Sequence, residues 1–333
     1  MDSVFNALLI SEQNGSYTKE IKQLNTDQLP RNELLIKVRY SSVNYKDALS
    51  ASGNKGVTRR YPHVPGIDAA GIVVNSDTQS FTQGDEVVIT GFDLGMNTWG
   101  GFAQYISVPA AWAMHLPKGL SLKEVMCYGT AGLTAGLSVY RLLDAGINPN
   151  KGPVVVSGAT GGVGSVAIAV LNKLGFEIIA ITGKSSEEYL LNTLGASKII
   201  SREQFVQTYD TKTMNTPVFA AGIDTCGGPI LSGMLKSTKY GGMVSCCGML
   251  AAHDINTSIF PFILRGVSLA GIDSVMVPLD VRKQVWQLLA TGWKHDNLHA
   301  FSQEIRLNDL PAVLDILLQG QAKGRYVLAH DVI

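Results

Sequence analysis

A glycine-rich turn between a buried strand and an amphipathic helix is the feature that most constrains how this chain can fold. Residues 153–157 (Pro-Val-Val-Val-Ser) predict a short buried strand, and residues 158–164 (Gly-Ala-Thr-Gly-Gly-Val-Gly) follow at once. Apolar side chains then recur at helical spacing as far as Leu174, and residues 177–182 predict a second strand. A strand, turn, helix and strand in this order form a βαβ unit, which belongs to a parallel sheet with helices on its faces.

The same turn predicts a binding site for a dinucleotide. Gly161 and Gly162 would let the backbone approach a pyrophosphate, and Gly164 would let the helix pack closely on the sheet. The first N–H groups of the helix would then face the phosphates. A glycine cluster alone could be an ordinary loop, but a strand before it and a helix after it favour dinucleotide binding.

The end of the second predicted strand indicates which nicotinamide cofactor fits. An NAD site usually has Asp or Glu there, which binds the ribose 2′-hydroxyl and would repel a 2′-phosphate. Here residues 182–186 (Thr-Gly-Lys-Ser-Ser) contain no acid, and Lys184 could pair with a phosphate. Arg202 follows the next predicted strand and should lie near the same pocket, although both cations could also be ordinary surface residues. We therefore expect NADPH rather than NADH.

Composition narrows the function classes. The chain has 333 residues, more than one average domain of ~100–200 residues, so we expect two domains. It has 27 Lys and Arg against 27 Asp and Glu, and this formal net charge of zero argues against nucleic acid as the main partner. Hydrophobic residues at 46% and charged residues at 16% exclude a disordered chain. The partner we expect is a small-molecule substrate.

Targeting signals and cysteine usage indicate a compartment. We see no signal peptide at the N-terminus, and no apolar stretch approaches the ~18 residues needed to cross a bilayer. Four cysteines are too few for a disulfide framework, and the adjacent Cys246 and Cys247 fall in an apolar run, as buried free thiols would. We expect a soluble cytoplasmic protein without a membrane partner.

The hydrophobic period changes along the chain. Up to about residue 126, short alternating segments with frequent turns predict a compact, partly open β-barrel. Over 127–272 strands alternate with amphipathic helices, which is the pattern of a doubly wound parallel sheet. Residues 273–333 contain two helical patterns and a final strand-like segment. The expected fold class is α/β, with a barrel beside a parallel sheet.

The sequence does not predict a metal site. No pair of cysteines has close metal-ligand spacing, and the six histidines are scattered. Chemistry that needs zinc to polarise an alcohol is therefore disfavoured. Hydride delivery to an activated double bond or to a quinone needs only cofactor geometry and at most one proton donor.

Several segments resemble the medium-chain dehydrogenases/reductases. They are Ser42-Val43-Asn44-Tyr45-Lys46-Asp47, Pro65-Gly66-Ile67-Asp68-Ala69-Ala70-Gly71, Gly84-Asp85-Glu86-Val87, Tyr128-Gly129-Thr130-Ala131-Gly132 and the glycine-rich turn. The runs Asn44-Tyr45-Lys46-Asp47-Ala48-Leu49, Pro261-Phe262-Ile263-Leu264-Arg265-Gly266-Val267 and Gly271-Ile272-Asp273-Ser274-Val275 are similar to the zinc-free YhdH/YhfP branch, a quinone oxidoreductase family that includes NADPH-dependent acrylyl-CoA reductase. The match covers essentially the whole chain. At residues 66–68 the zinc-binding relatives would have Gly-His-Glu, and the missing His agrees with a metal-free site.

The resemblance implies a domain organisation and a set of cofactor contacts. A GroES-like catalytic domain would comprise 1–126 and be completed by 273–333, with a Rossmann NADPH-binding domain over 127–272. Met249 stands where the family more often has Leu. The implied cofactor contacts are Tyr45, Thr160, Gly161, Gly162, Val163, Thr182, Gly183, Lys184, Arg202, Met249, Ile263 and Ser274.

Asn44, Tyr45 and Asp47 are the candidate catalytic residues, on a loop that the fold should place beside the nicotinamide. Tyr45 could order the cofactor or donate the proton that quenches an enolate after hydride transfer. Alternatively, Asn44 and Asp47 cap a helix that begins near Tyr45, and Tyr45 is a packing aromatic residue.

Three functions remain open at this stage: an NADPH-dependent reductase of 2-alkenals or enoyl-CoA, with acryloyl-CoA as the family precedent; an NADPH:quinone oxidoreductase; and a non-enzymatic, crystallin-like NADPH-binding protein. Lys55, Arg59 and Arg60 could form a basic rim for coenzyme A phosphates, or simply a solvated loop. Residues 266–272 look like the edge strand through which this superfamily dimerises, so we expect a homodimer.

Overall fold

The computed structural model describes residues 3–183 and 189–330, and these form two compact units. The first unit contains Met1–Thr130 and Ser302–Ile333, and the second contains Ala131–Phe301. This division differs from the expected boundaries, because residues 127–130 stay with the first unit and 273–301 with the second.

The first unit begins with a β-hairpin and continues into a curled antiparallel sheet. Strands β1 (Val4–Gln13) and β2 (Ser16–Asn25) pair antiparallel, and Asn14 and Gly15, at φ 53° and 78°, form the two-residue turn between them. The elements that follow are β3 (Leu34–Val43), α1 (Tyr45–Ala51), β4 (Asp68–Ser76), β5 (Glu86–Thr90), β6 (Tyr105–Val108) and β7 (Met114–His115).

Helix α2 (Leu122–Asp144) leads into the second unit and is broken by one glycine. Gly129 has φ 54° and ψ −156°, a conformation that side chains disfavour and that lies outside the helical region. A Cβ atom there would lie 1.9 Å from Ser42 Oγ and 2.6 Å from Asp68 Oδ2. The close approach of α2 to β3 and β4 therefore requires glycine at this position.

The second unit contains the predicted parallel sheet. Its elements are β8 (Val154–Val156), α3 (Gly162–Lys173), β9 (Ile178–Thr182), β10 (Lys198–Ser201), α4 (Arg202–Tyr209), β11 (Phe219–Asp224), α5 (Gly228–Ser237), β12 (Thr238–Cys246), α6 (Phe260–Arg265), β13 (Ser268–Gly271) and α7 (Leu279–Ala290). The strand order is β10-β9-β8-β11-β12-β13, and every neighbouring pair is parallel.

This strand order fits the Rossmann-type doubly wound sheet expected from the sequence. The chain runs outward from β8 to β10 and returns to β11 beside β8, so the order reverses between β8 and β11. Ligands of open parallel sheets bind outside the carboxyl ends of the strands at such a reversal. The apolar core of the second unit includes Val155, Ile181 and Phe205, all well buried.

Helix α7 explains why residues 273–301 belong to the second unit. A Cβ on Gly136 of α2 would lie 2.6 Å from Val285 Cγ1, so α7 packs directly against the α2 backbone. Thr134 Oγ1 of α2 also donates to Ser274 Oγ at 2.8 Å. These contacts hold the segment after β13 to the second unit rather than to the first.

The chain returns to the first unit with β14 (Ser302–Ile305), α8 (Leu310–Leu318) and β15 (Arg325–Ala329). The complete sheet has seven strands in the order β14-β15-β3-β4-β5-β7, with β6 paired to β3. Leu34, Ile36 and Ile89 fill its interior, as a partly open barrel requires. A second apolar cluster packs β1 against α1 and α8.

Short 3₁₀ segments connect several of these elements, and one π-helical segment follows β9. Their bounds are Thr26–Gln28, Ala110–Trp112, Pro149–Lys151, Leu298–Phe301 and Leu307–Asp309 for the 3₁₀ segments and Tyr189–Thr193 for the π segment. Within 3–183 and 189–330, no helix combines the length and apolarity that a membrane span needs.

Candidate active site

The glycine-rich turn connects β8 to α3, as its sequence predicts. Gly158, at φ 56°, lies two residues after the end of β8, and Gly161 is the N-cap of α3. The Gly161 N–H donates to the Gly158 carbonyl at 2.8 Å, and the Ala159 N–H donates to the Ile181 carbonyl of β9 at 3.2 Å. One hydrogen bond thus closes the turn and the other holds it to β9. Thr160, within the turn, is buried.

Gly164 allows α3 to start directly against this turn. A Cβ atom on Gly164 would lie 2.3 Å from the Gly158 carbonyl oxygen and 2.9 Å from the Ala159 Cα. The N–H groups of Gly162, Val163 and Gly164 open the helix, where the first N–H groups have no intrahelical acceptor. Together with the helix dipole, they suit an anionic pyrophosphate.

Arg202 lies against the carboxyl end of β9. A Cβ atom on Gly183 would be 3.4 Å from Cδ, Nε and Cζ of Arg202, so the guanidinium packs over this glycine. Its Nε is buried and has no hydrogen-bond partner within the described part of the chain. Thr182 is buried at the same strand end. The predicted Lys184 lies outside the described residues.

The remaining predicted contacts of the second unit fall in different places. Met249 is exposed and follows Gly248, whose Cβ would lie 2.2 Å from the Thr225 carbonyl oxygen at the end of β11. Ser274 is buried and its Oγ accepts from Thr134 Oγ1 at 2.8 Å. Ile263 is exposed on α6, and the described contacts do not join it to the glycine-rich turn.

In the first unit, the candidate catalytic residues form the beginning of α1. Asn44 is the N-cap residue, and its N–H donates to Asp47 Oδ2 at 2.7 Å. Tyr45, the first helical residue, is 41% exposed. The alternative that Asn44 and Asp47 cap a helix therefore describes their local geometry, and a catalytic role for them stays a prediction.

Asp47 and Asp68 form a buried acidic pair beside this helix. Asp47 Oδ1 accepts the Ile67 N–H at 2.8 Å, and both carboxyl groups are completely buried. Burial, followed by the negative charge of Asp68, raises the pKa of Asp47 to about 7. A carboxyl group with this pKa exchanges its proton near neutral pH.

Asn44 connects Asp68 to a buried arginine. Its Nδ2 donates to Asp68 Oδ2 at 2.8 Å, and its Oδ1 accepts from Arg325 Nη2 at 3.2 Å. The N–H of Thr130 also donates to Asp68 Oδ2 at 2.8 Å, because the break at Gly129 turns it toward that carboxylate. One guanidinium thus lies in a network with two carboxyl groups.

Sequence reasoning missed the roles of Asp68, Arg325 and Thr130 in this network. Asp68 and Thr130 lie in segments that the family resemblance had marked, and Arg325 begins the last predicted strand. Ser157 and Asp224, at the ends of β8 and β11, were also missed. An acidic residue at the end of a fully apolar strand was the available signal for Asp224.

Possible metal ligands do not gather within the described ranges: 3–183 and 189–330 contain no group of three or more His, Cys, Asp and Glu side chains that could hold an ion. The four cysteines are free thiols.

Comparison with known proteins identifies the relatives of this chain. Residues 30–118 match the alcohol dehydrogenase GroES-like domain, and residues 162–291 match the family described as zinc-binding dehydrogenase. The chain is 42% identical over 331 residues to Bacillus subtilis YhfP, provisionally named a quinone oxidoreductase, and the match covers 98% of this chain and 99% of YhfP. It is also 42% identical over 327 residues to the acrylyl-CoA reductase AcuI of Ruegeria pomeroyi, with the same coverage.

Solved structures agree with these matches. The YhdH oxidoreductase of Salmonella enterica in complex with NADP has a TM-score of 0.94 and 40% identity, over 97% of this chain and 99% of that one. The structure of Bacillus subtilis YhfP with NAD bound also has a TM-score of 0.94, with 42% identity over 98% and 99%.

Proposed function

This chain belongs to the YhdH/YhfP quinone oxidoreductase family of medium-chain dehydrogenases/reductases, and we propose that it is an NADPH-dependent reductase whose acceptor is an enoyl-CoA such as acryloyl-CoA. The observation that carries the choice of cofactor is the buried, unpartnered Nε of Arg202 over Gly183, at a strand end without an acid. A ribose 2′-phosphate would supply the anionic acceptor that this guanidinium lacks among the described residues.

Several residues of the second unit would hold NADPH. The N–H groups of Gly162 and Val163 would hold the pyrophosphate, and the space at Gly164 lets α3 start close to it. Thr160, Thr182 and Ser274 would contribute further contacts. When bound, NADPH supplies the hydride for the β-carbon of the unsaturated thioester.

The residues of the first unit would handle the proton. Tyr45 would donate from its hydroxyl to the α-carbon of the acceptor, completing reduction of the double bond. Asn44 and Asp47 would hold Tyr45 at the start of α1, because they fix the first turn of that helix. Turnover of a Tyr45→Phe variant equal to that of the parent enzyme would remove Tyr45 from the chemistry.

Two exposed arginines favour a coenzyme A ester over a quinone. Lys55 is already bound to Glu12 at 2.6 Å and lies over the ring of Tyr61 at 4.8 Å. Arg59 and Arg60 are exposed, and the structure records no side-chain partner for them among the described residues. They would be available for the phosphates of coenzyme A, which a quinone lacks.

The loop that carries Arg59 and Arg60 is hydrogen-bonded to α1, the helix that begins with the candidate catalytic residues. The hydroxyl groups of Thr58 and Ser50 share a hydrogen bond at 2.6 Å, and the Tyr61 hydroxyl donates to the Ser50 carbonyl at 2.6 Å. These two bonds hold residues 58–61 next to α1. A phosphate held by this loop would leave the pantetheine arm of the substrate to reach the start of α1.

Turnover assays test the proposal. NADPH oxidation is measured with acryloyl-CoA and with a panel of quinones, in the parent protein and in an Arg59→Ser/Arg60→Ser variant. We expect turnover of acryloyl-CoA and a raised KM for it in the variant, with no change for an acrylic thioester that lacks the nucleotide. Faster turnover of quinones would favour the quinone oxidoreductase, and NADPH binding without turnover of any acceptor would favour the non-enzymatic alternative.

We also propose a homodimer that forms through β13. This strand is at the edge of the parallel sheet, where unpaired N–H and C=O groups favour strand addition. Large apolar side chains, among them Leu264 and Met276, are exposed in the same part of the sequence. Light scattering at micromolar concentration should give the mass of a dimer, and Leu264→Glu should shift it toward the monomer.

The free thiols support a cytoplasmic location, which fractionation of cells would test.

A further inference from the structure

A buried carboxyl group lies where the order of the parallel sheet reverses, and the proposed reaction does not use it. Asp224 ends β11 and is completely buried. Its Oδ1 accepts from Ser157 Oγ at 2.7 Å and from the Cys226 N–H at 3.2 Å, and its Oδ2 accepts the Gly227 N–H at 2.7 Å. Three donors thus surround a group whose pKa is raised by burial.

Ser157 closes a ring of hydrogen bonds between β8 and β11. Its Oγ accepts the Thr225 N–H at 2.8 Å while it donates to Asp224. The Thr225 hydroxyl in turn donates to the Ser157 carbonyl at 3.2 Å. The ends of the two strands are therefore joined by side chains beyond the last backbone pair of the sheet, at the edge where a dinucleotide would bind.

This ring adjoins the glycine-rich turn. Gly158 is the residue after Ser157, and a Cβ atom on it would lie 2.1 Å from Thr225 Oγ1. The Gly158 carbonyl accepts the Gly161 N–H at 2.8 Å and faces Gly164 on its other side. A displacement of Gly158 would therefore be passed to the first residues of α3.

We propose that Ser157 and Asp224 are positioning residues for the dinucleotide: they hold residues 158–161, and thereby the N–H groups of Gly162 and Val163, in the arrangement that receives a pyrophosphate. The proposal rests on the NADPH-dependent function argued above. Neither side chain needs to touch the cofactor, since the ring acts through the turn. Binding affinity for NADPH should depend on the ring even where the overall fold does not.

Ser157→Ala is the direct test, with Ser232→Ala as its matched control. Like Ser157, Ser232 is a completely buried serine of the second unit. Its hydroxyl donates to the backbone carbonyl of Asn256, and it lies on α5 rather than beside the glycine-rich turn. We expect Ser157→Ala to raise the Kd for NADPH by about tenfold or more, because two buried hydrogen bonds are lost at the turn. Ser232→Ala should lower the melting temperature without changing this Kd.

Hydrogen exchange of the cofactor-free protein provides a second readout. Amides 158–164 should exchange faster in Ser157→Ala than in the parent, and Ser157→Thr, which keeps the hydroxyl, should restore both exchange and affinity. Unchanged affinity and exchange in Ser157→Ala would overturn the positioning role. Failure of the parent protein to bind NADPH would instead overturn the proposed function, while the exchange measurement would still decide whether the ring orders the turn.

Discussion

The sharpest test of the cofactor site is the substitution Gly164→Ala. The added Cβ would lie 2.3 Å from the Gly158 carbonyl oxygen, 2.8 Å from the Gly158 carbonyl carbon and 2.9 Å from the Ala159 Cα. All three atoms belong to the backbone, so no side-chain rotation can relieve the contact. Ordinary contacts begin at 3.4 Å, so the turn and the helix would have to separate by 3.4 − 2.3 = 1.1 Å to reach one.

The expected effect falls on binding more than on stability. Overpacking costs ~1–3 kcal/mol, while replacing a helical glycine with alanine returns up to ~1 kcal/mol. A misplacement of about 1 Å in a site can reduce function by ~100-fold, so we expect the Kd for NADPH to rise by ~10- to 100-fold. Titration of NADPH fluorescence measures this Kd, and urea unfolding measures the stability.

Gly175→Ala is the matched control at the other end of the same helix. Gly175 has φ 80°, and a Cβ there would meet no atom within 4 Å. The strained backbone should lower stability by ~1–2 kcal/mol and leave NADPH affinity unchanged. If Gly164→Ala binds NADPH as tightly as the parent, or if both variants weaken binding equally, the reasoning about this turn is wrong.

Three further outcomes are expected. Arg202→Ser should weaken NADPH binding by ~10- to 100-fold, because charge-assisted hydrogen bonds to the 2′-phosphate are lost. The affinity for NADH, measured in the same titration, should stay constant. Because the pKa of Asp47 rises from 3.8 to about 7 on folding, the folded state holds the extra proton, and the free energy of unfolding should fall as pH rises through this range, by up to ~4 kcal/mol. Urea unfolding should show the parent losing stability relative to Asp47→Asn between these pH values, and a constant difference would contradict the assignment. Gly129→Ala should unfold at a lower temperature by calorimetry, since its Cβ would collide with Ser42 and Asp68.

The sequence predicted the βαβ unit because both of its signals are local. Strand 154–156, the turn and α3 are neighbours in the chain, so their hydrophobic period and glycine spacing are visible without a structure. The helix-capping alternative for Asn44 and Asp47 was visible for the same reason, since the two residues are three apart.

The domain boundary at residue 272 was less accessible to sequence reasoning. A change of period marks where an element ends but does not indicate which core receives the next one. Helix α7 was visible as a helix, yet only the contact of Val285 with the Gly136 backbone shows that it packs in the second unit.

What the sequence determined by itself is the class of fold, the glycine-rich turn and the absence of an acid after β9, because each depends on residues within one short segment. The tertiary structure alone decided the network around Asp68 and the ring around Asp224. Asn44 and Arg325 are 281 positions apart, and Ser157 and Asp224 are 67 apart. Hydrogen bonds between such distant residues depend on how strands are ordered in a sheet, and no local pattern in the chain encodes that order.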